Sequence, residues 1–317
     1  MNEASAPPRE RYRHLIERAQ ATNPVATAVA HPCDDVSLEG AMQAARLGLI
    51  TPILVAPTAR LQRVAADAGI DLTSARIVAA EHSHDAAEKA VELVRNGEAQ
   101  ALMKGSLHTD EVMGAVVRSA TGIRTARRIS HCFVMDVPGH SDALIITDAA
   151  VNIAPSLEAK VDIVQNAIDL ASALGLAEIR VAILSAMETV NPKVPSTIEA
   201  AALCKMADRG QITGAVIDGP LAFDNAISLS AAQRKGIRSP VAGRANILVV
   251  PDLEAGNMLA KSLIFLAGAD SAGIVLGARV PIILTSRADS VESRLASCAV
   301  ASLFARALRD RTLQAVV

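Results

Sequence analysis

Aromatic side chains are scarce in this 317-residue sequence, which has no tryptophan, one tyrosine and four phenylalanines. Stacking of nucleic-acid bases on aromatic surfaces is therefore disfavoured as a mode of recognition. Hydrophobic residues nevertheless make up 51% of the chain, so alanine and branched aliphatic residues must fill the core. This composition excludes a disordered chain and predicts a globular protein.

A large net charge is also missing. The formal charge is −2 and the isoelectric point is near 6.4. Such a balance provides no long-range attraction for nucleic acid or acidic membranes. We therefore predict neither a nucleic-acid nor a membrane partner, and any anionic ligand must be held by local groups.

Cysteines are few and widely spaced, at Cys33, Cys132, Cys204 and Cys298, with no CxxC pair. This spacing suggests neither zinc nor a redox dithiol and predicts buried free thiols. The N-terminal segment lacks the apolar core of a signal peptide, and charges interrupt every long apolar run. We predict a cytoplasmic protein without bound metal.

Three common motifs are absent: GxGxxG after the first strand, GxxxxGK[ST] and GxSxG. Their absence disfavours a classical dinucleotide-dependent dehydrogenase, a P-loop NTPase and an α/β-hydrolase.

Short β-branched runs alternate instead with longer, alanine-rich amphipathic stretches. This alternation predicts an α/β fold with mainly parallel sheets. The predicted strands are PVATAVAH, TPILVAP, ARIVAA, AQALMKG, RISHCFVMDV, DALIIT, EIRVAILSA, ITGAVIDGP, NILVVPD, AGIVLGA and VPIILTS. Predicted helices between them include SLEGAMQAARLGL, DAAEKAVELVRNG, AKVDIVQNAIDLASALGL and EAGNMLAKSLIFL.

Loops that leave the carboxyl ends of parallel strands hold the functional groups in such folds. In LMKGSLHTDEVMGAVV, a strand is followed by a helix whose predicted N-cap is Thr109. The helix terminus and a nearby lysine predict an anion site. Its residues would be Lys104, Gly105, Ser106, His108 and Thr109.

Two further loops have weaker signals. In VIDGPLAFDNAIS, a strand is predicted to end at Asp218, where Gly219 begins a turn. In SPVAGRANILVVPDLEAGNMLAKSL, Asp252 closes a strand, and Gly256 and Asn257 begin or line the next helix. Each signal also has a purely structural explanation. Asp218 and Gly219 could simply form a turn, Asp252 could be an N-cap, and Gly256 could permit close packing of the helix.

The last loop, PIILTSRADSVESRLASCAVASLFARAL, places Ser286 and Arg287 directly after a strand. Asp289 and Glu292 fit a capping box for the final helix. A cation beside the positive end of a helix is unfavourable unless an anion also lies there. Arg287 is therefore predicted to be an anion ligand.

Five strings resemble, in order, the signatures of the phosphate acetyltransferase and phosphate butyryltransferase family from about residue 20 to the C-terminus. They are LMKGSLHT, ITDAAVNIAP, VIDGPLAFDNAIS, SPVAGRANILVVPDLEAGNMLAKSL and PIILTSRADS. The TSRADS and KGSLHTDEVMG forms resemble the butyryltransferase-like branch most. The resemblance implies that acyl-CoA and phosphate react to acyl phosphate and CoA, by direct thiolate attack in a ternary complex. It also implies a homodimer without a metal or organic cofactor, with CoA and phosphate as substrates.

The implied architecture is two α/β domains with the active site in the cleft between them, as in isocitrate and isopropylmalate dehydrogenases. The first domain would comprise residues 1–138 and 279–317, and the second 139–278.

The resemblance assigns the family's catalytic pair to Ser286 and Arg287. Ser286 would donate a hydrogen bond to the oxyanion, and Arg287 would hold the phosphoryl group. The acetyltransferase branch has an aspartate seven places after its serine, where this chain has Ser293. The general base therefore stays open. We expect cations near the thiol to do much of the activation, and of the two nearby acids Asp289 is favoured as a catalytic residue over Glu292 because it lies nearer Ser286 in sequence.

Two other classes stay open. One is a non-catalytic domain that senses acyl-CoA, which the retained Ser286 and Arg287 disfavour. The other is a decarboxylating dehydrogenase of similar fold, which would need a set of carboxylates for a divalent metal. The preferred acyl chain stays open as well, because one methylene changes specificity by only about 1 to 3 kcal/mol.

Overall fold

The structure, a computed structural model, describes residues 10–140, 142–285 and 289–314. Internal contacts divide the chain into two compact units. We call Tyr12–Arg127 with Ala272–Val317 the terminal unit, and Met1–Arg11 with Arg128–Ser271 the central unit.

The terminal unit contains a sheet in which most strands are parallel. Its elements, of which α1 and β10 begin just before the unit boundaries, are α1 (Glu10–Gln20), β1 (Val25–Ala30), α2 (Asp35–Arg46), β2 (Ile50–Ala56), α3 (Thr58–Ala68), β3 (Arg76–Ala79), α4 (Ser83–Arg95), β4 (Ala101–Lys104), α5 (Thr109–Val117), β10 (Asp270–Leu276), β11 (Ile282–Ile283) and α11 (Val291–Gln314). The strand order is β3-β2-β1-β4-β11-β10, and only the pair of β10 and β11 is antiparallel among these described strands.

The central unit repeats this design with a different strand order. Its elements are β5 (Ser130–Asp136), β6 (Leu144–Thr147), α6 (Leu157–Ala173), β7 (Arg180–Leu184), α7 (Pro195–Asp208), β8 (Val216–Leu221), α8 (Phe223–Ile227), α9 (Leu229–Arg234), β9 (Ile247–Val249) and α10 (Leu253–Ala267). The order is β5-β6-β9-β7-β8, with β5 antiparallel to β6 and the other described pairs parallel.

The sheets form because their strands are short apolar runs that can be buried on both faces. All four residues of β4 and all four of β6 are buried. Several helices begin at side-chain caps, such as Asp34, whose carboxylate accepts a hydrogen bond of 2.7 Å from the amide of Ser37. Every predicted strand is present, and the predicted α/β class with mainly parallel strands is confirmed.

Three predicted boundaries are wrong. Strand β8 does not end at Asp218 but continues to Leu221, because a register shift against β7 accommodates the Gly219-Pro220 step. Helix α5 has His108 as its N-cap, so Thr109 is the first helical residue. The strand thus continues where a turn was predicted at Gly219, and the cap of α5 lies one residue before the predicted Thr109.

The third boundary is the start of the final helix. Helix α11 begins at Val291, and the hydroxyl of Ser290 accepts a hydrogen bond of 3.2 Å from the amide of Ser293. Ser290 is thus the cap, and Asp289 lies before it. The capping box predicted for Asp289 and Glu292 is wrong, because a serine one position later takes that role.

The compact units change over at residues 11/12, 127/128 and 271/272. Strand β5 lies in the central unit, where it pairs with β6. The prediction of domains 1–138 with 279–317 and 139–278 would divide the chain after this strand, and it stays a prediction.

Candidate active site

The carboxyl ends of β1, β4 and β11 lie side by side in the terminal unit. Ala30 is in register with Lys104, and Met103 is in register with Ile283. The residues that follow these strands therefore lie along one edge of the sheet. They include the predicted segment Lys104–Ser106, and also His31 and Thr285, which the sequence had not singled out.

Gly105 holds two of these strand ends together. Its amide donates to the carbonyl oxygen of Ala30 at 2.9 Å, and the next amide, of Ser106, donates to that of His31 at 2.9 Å. A Cβ atom on Gly105 would lie 2.5 Å from the Ala30 oxygen and 2.6 Å from the His31 oxygen. Only glycine permits this approach of the two backbones.

The hydroxyl of Ser106 takes part in several hydrogen bonds. It donates to the carbonyl oxygen of His31 at 2.8 Å and accepts from the amide of Cys33 at 3.3 Å. The Nδ1 atom of His31 lies 3.0 Å from the same hydroxyl oxygen. Because the hydroxyl has one proton, which is directed at the His31 carbonyl, we assign the proton of the neutral imidazole to Nδ1.

The other residues of this predicted loop have different environments. Lys104 is 5% exposed, and its Nζ atom donates to the Gly105 carbonyl at 3.3 Å. His108 and Thr109 are exposed at the start of α5. The Glu111 carboxylate accepts from the His108 amide at 2.7 Å, which completes the turn.

Thr285, the last residue described before the predicted catalytic pair, is fixed by a buried arginine. The Nη1 atom of Arg294 donates to Oγ1 of Thr285 at 2.7 Å, and the two residues are 3% and 4% exposed. Arg294 packs over Gly40 of α2, where an added Cβ would lie 2.9 Å from its Cδ. Burial lowers the pKa of Arg294, whereas the charges of Asp289 and Asp34 raise it.

Ser286 and Arg287 lie outside the described residues. Asp289 is half-buried. Its influence on the pKa of Arg294 shows that it belongs to the same neighbourhood as the Thr285 contact. The terminal unit thus brings Lys104, Gly105, Ser106 and Asp289 together. It adds three residues that the sequence analysis missed, namely His31, Thr285 and Arg294.

The predicted residues of the central unit have clear structural contacts. Asp252 caps α10 by accepting from the amide of Ala255 at 2.8 Å. A Cβ on Gly256 would lie 3.0 Å from Ala149, and Asn257 donates to the Ala149 carbonyl at 3.3 Å. The structural alternatives foreseen for Asp252 and Gly256 are therefore present in the fold.

Asp218 and Gly219 lie within β8. The Asp218 carboxylate accepts from the amide of Gly219 at 2.8 Å, and a Cβ on Gly219 would meet the Ile183 carbonyl at 2.7 Å. Both residues are half-buried. Close backbone packing explains the glycine, and a role for either residue in binding stays a prediction.

A further aspartate at the carboxyl edge of the central sheet was not selected from the sequence. Asp148, directly after β6, accepts hydrogen bonds from the amides of Ala150, Val151 and Asn152 at 3.0 to 3.1 Å. The side-chain amide of Asn152 also donates to it at 2.6 Å. This buried carboxylate organises the loop in the string ITDAAVNIAP.

A cleft of about 840 Å³ lies elsewhere in the central unit. Its lining includes Ala143, Arg180 and Asn246, which are at the amino ends of β6, β7 and β9. None of the described predicted site residues lines it. Ligands of open α/β sheets bind at the carboxyl ends, so we locate the candidate site by strand ends and not by cavity size.

The four cysteines are free, and all but the half-buried Cys204 are buried, as predicted for three of them. Burial raises the pKa of the Cys33 thiol to about 11 and that of Cys132 to about 12. Within residues 10–140, 142–285 and 289–314, no group of three His, Cys, Asp or Glu side chains has a metal-binding arrangement. Over the same ranges, no helix is both long and apolar enough to cross a membrane.

Comparison with known proteins identifies the family. The sequence pattern described as phosphate acetyl/butaryl transferase matches residues 78–302. The chain belongs to this family. It is therefore an acyltransferase of the predicted class, and the predicted family is confirmed.

Individual relatives agree with this assignment. A phosphate acetyltransferase of Rhizobium meliloti is 68% identical over 306 residues, which are 96% of this chain and 97% of that protein. A phosphate butyryltransferase of Clostridium acetobutylicum is 39% identical over 93% of this chain and 98% of that protein. The crystal structure of a branched-chain phosphotransacylase from Enterococcus faecalis aligns with a TM-score of 0.78 at 30% identity, over 89% of this chain and 99% of that one.

Proposed function

We propose that this phosphate acyltransferase interconverts acyl-CoA plus phosphate with acyl phosphate plus CoA at the carboxyl edge of β1, β4 and β11. The observation that carries this proposal is the convergence of the Lys104–Ser106 loop with Thr285, which directly precedes Ser286 and Arg287 in sequence. In α/β folds, ligands bind next to the carboxyl ends of neighbouring parallel strands.

In the proposed mechanism, both substrates are bound together and no acyl-enzyme forms. The CoA thiolate attacks the carbonyl carbon of the acyl phosphate, and the phosphate leaves with the electrons of the broken C–O bond. Ser286 donates a hydrogen bond to the tetrahedral oxyanion. Loss of such a donor typically raises the activation free energy by about 2.7 to 4 kcal/mol. Arg287 binds the phosphoryl oxygens through its planar fork of donors.

No metal or organic cofactor is part of the proposal. The binding roles of Lys104, Gly105, Ser106, His108 and Thr109, and of Asp218, Gly219, Asp252, Gly256 and Asn257, stay predictions. So do a cleft between domains, a homodimer and a cytoplasmic location.

The test is phosphate-dependent release of free thiol from acetyl-, propionyl- and butyryl-CoA in the presence of a chelator. We expect turnover with at least one of them, and the ratio of kcat/KM values gives the chain-length preference. The raised pKa values of the buried cysteines should keep the protein's own reaction with the thiol reagent low. CoA binding without turnover would favour a sensor, and turnover that stops with chelator would contradict the cofactor-free reaction.

A further inference from the structure

His31 has an unusual backbone conformation. Its φ of 53° makes it the one non-glycine residue with positive φ in the described part of the chain. This region costs non-glycine residues about 1 to 3 kcal/mol, and such strain is concentrated at functional sites. Histidine, asparagine and aspartate are the non-glycine residues that enter this region most readily, so asparagine could adopt the same backbone conformation at position 31.

The hydrogen bonds of His31 leave one ring nitrogen able to accept a proton. With the ring proton assigned to Nδ1, this atom donates to the Ser106 hydroxyl at 3.0 Å. In the neutral ring, Nε2 then has a free lone pair. Within the described residues Nε2 makes no hydrogen bond, and unlike Nδ1 of His131 it is not a fully enclosed polar atom without a partner.

The surroundings keep this imidazole neutral. Burial, followed by the charge of Arg60 on α3, lowers the pKa of His31 below its ordinary value of 6.5. The charges of Glu111 on α5 and Asp34 before α2 act in the opposite direction but do not reverse the shift. At neutral pH the ring is therefore in the form that can take up a proton.

We propose that Nε2 of His31 is the general base that accepts the proton of the CoA thiol. This inference rests on the function proposed above. As the sulfur forms its bond to the acyl carbon, the S–H proton moves to Nε2, and the phosphate leaves with the electrons of its C–O bond. In the reverse direction, the imidazolium returns this proton to the departing CoA sulfur.

This role answers a question that the sequence left open. Ser293 stands where the acetyltransferase branch has an aspartate, and its backbone amide is taken by the cap Ser290. His31 is instead fixed on the carboxyl edge of β1, beside the strand ends that lead to Ser106 and Thr285. Its second nitrogen is held by Ser106, as an orienting group holds a catalytic base.

The experiment compares wild type with His31→Asn. The amide nitrogen of asparagine can replace Nδ1 as donor to Ser106, and asparagine tolerates the positive φ, but nothing replaces Nε2. The matched control is His82→Asn, because Nδ1 of His82 caps α4 by accepting from the Asp85 amide at 3.1 Å, and asparagine is a strong cap. Turnover is measured as thioester formation from acetyl phosphate and CoA over a range of pH.

We expect His31→Asn to fold and to retain its KM for CoA, while kcat falls by about 10²- to 10⁴-fold. Wild type and His82→Asn should lose kcat/KM as the pH falls below 6.5, and His31→Asn should lack this part of the profile. Added imidazole should restore part of the activity.

An active His31→Asn with an unchanged pH profile would overturn the inference and leave the proposed function standing. Should the variant not fold, the wild-type profile decides, because a kcat/KM that shows no loss at any pH below 6.5 at which the protein stays folded excludes His31 as the base. A wild type without turnover on the acetyl, propionyl and butyryl substrates alike would overturn the proposed function itself.

Discussion

The Nη1 atom of Arg294 donates a hydrogen bond of 2.7 Å to Oγ1 of Thr285, the residue directly before the predicted catalytic serine. Both partners are almost completely buried. A charged, buried hydrogen bond of this kind contributes about 1.5 to 3 kcal/mol, so it can fix the end of β11. Arg294 would therefore act as a positioning residue for the segment that follows Thr285.

Thr285→Val should reduce turnover by removing this acceptor while keeping the shape of the side chain. A misplacement of about 1 Å at a catalytic group can cost about 10²-fold in rate, and we expect a loss approaching that size in kcat. Arg294→Lys keeps the charge but not the planar guanidinium group, so it should retain only part of the wild-type rate. Steady-state kinetics and thermal unfolding of each variant provide the measurement.

The control is Ser297→Ala on the same helix. Ser297 accepts from the amide of Gly273 at 3.0 Å and donates to the carbonyl of Ser293 at 2.7 Å, so its hydrogen bonds do not involve Thr285. Its loss should lower stability by about 1 kcal/mol without reducing kcat. If Thr285→Val and Ser297→Ala lose stability alike and both keep kcat, the Arg294 contact is only structural.

Arg287→Lys should impair the use of phosphate more than the binding of CoA, since lysine cannot offer two parallel donors to a phosphoryl group. For Ser286→Ala, the loss should fall on kcat, because an oxyanion contact strengthens only as the tetrahedral centre forms. Initial rates over a grid of phosphate and acyl-CoA concentrations separate the two effects. An unchanged KM for phosphate together with unchanged kcat would refute the role of Arg287.

Gly105→Ala should be strongly destabilising. The new Cβ would overlap the backbone oxygens of Ala30 and His31, which cannot move without separating β1 from β4. The control is Gly114→Ala within α5, where no neighbouring atom lies within 4 Å of the added Cβ and alanine should stabilise the helix by roughly 0.5 to 1 kcal/mol. Denaturant unfolding of both variants tests this, and equal stabilities would contradict the close approach.

The strands could be predicted because their determinants are local. Buried parallel strands are continuous apolar runs, as in the string ILV of β9, and such runs stand out between amphipathic helices. Caps were less predictable, since Asp289 and Ser290 are both good capping residues and only the backbone decides between them. The same one-residue ambiguity separated His108 from Thr109.

The candidate site was predicted only where a loop itself carried the signal. Lys104, Gly105 and Ser106 follow a strand directly, so their place at the sheet edge could be foreseen. The importance of His31 depends on a hydrogen bond to Ser106, 75 residues away, and on a positive φ. Neither the hydrogen bond nor the positive φ can be predicted from the residues next to His31. Arg294 was missed because its burial depends on the contact with Gly40.

The last prediction concerns stability at low pH and rests on His131 of β5. This side chain is 1% exposed, its ring lies 4.3 Å from that of Phe133, and its Nδ1 atom is enclosed without a hydrogen-bond partner. Burial lowers the pKa of His131 to about 4, although the charge of Asp148 opposes the shift. The folded protein therefore keeps this histidine neutral.

The direction of the effect follows from proton uptake by the two states. Between the unfolded value of 6.5 and the folded value of about 4, the unfolded chain binds a proton that the folded chain does not. The free energy of unfolding should thus fall as the pH is lowered through this window, by up to about 1.4 kcal/mol per pH unit from this one group. Above pH 6.5 its contribution is complete. His131→Leu should flatten the dependence, whereas the same change at the exposed His14 should not, as measured by urea unfolding at a series of pH values. A slope that is identical in all three proteins would mean that His131 is protonated in the folded state, and the burial argument would fail.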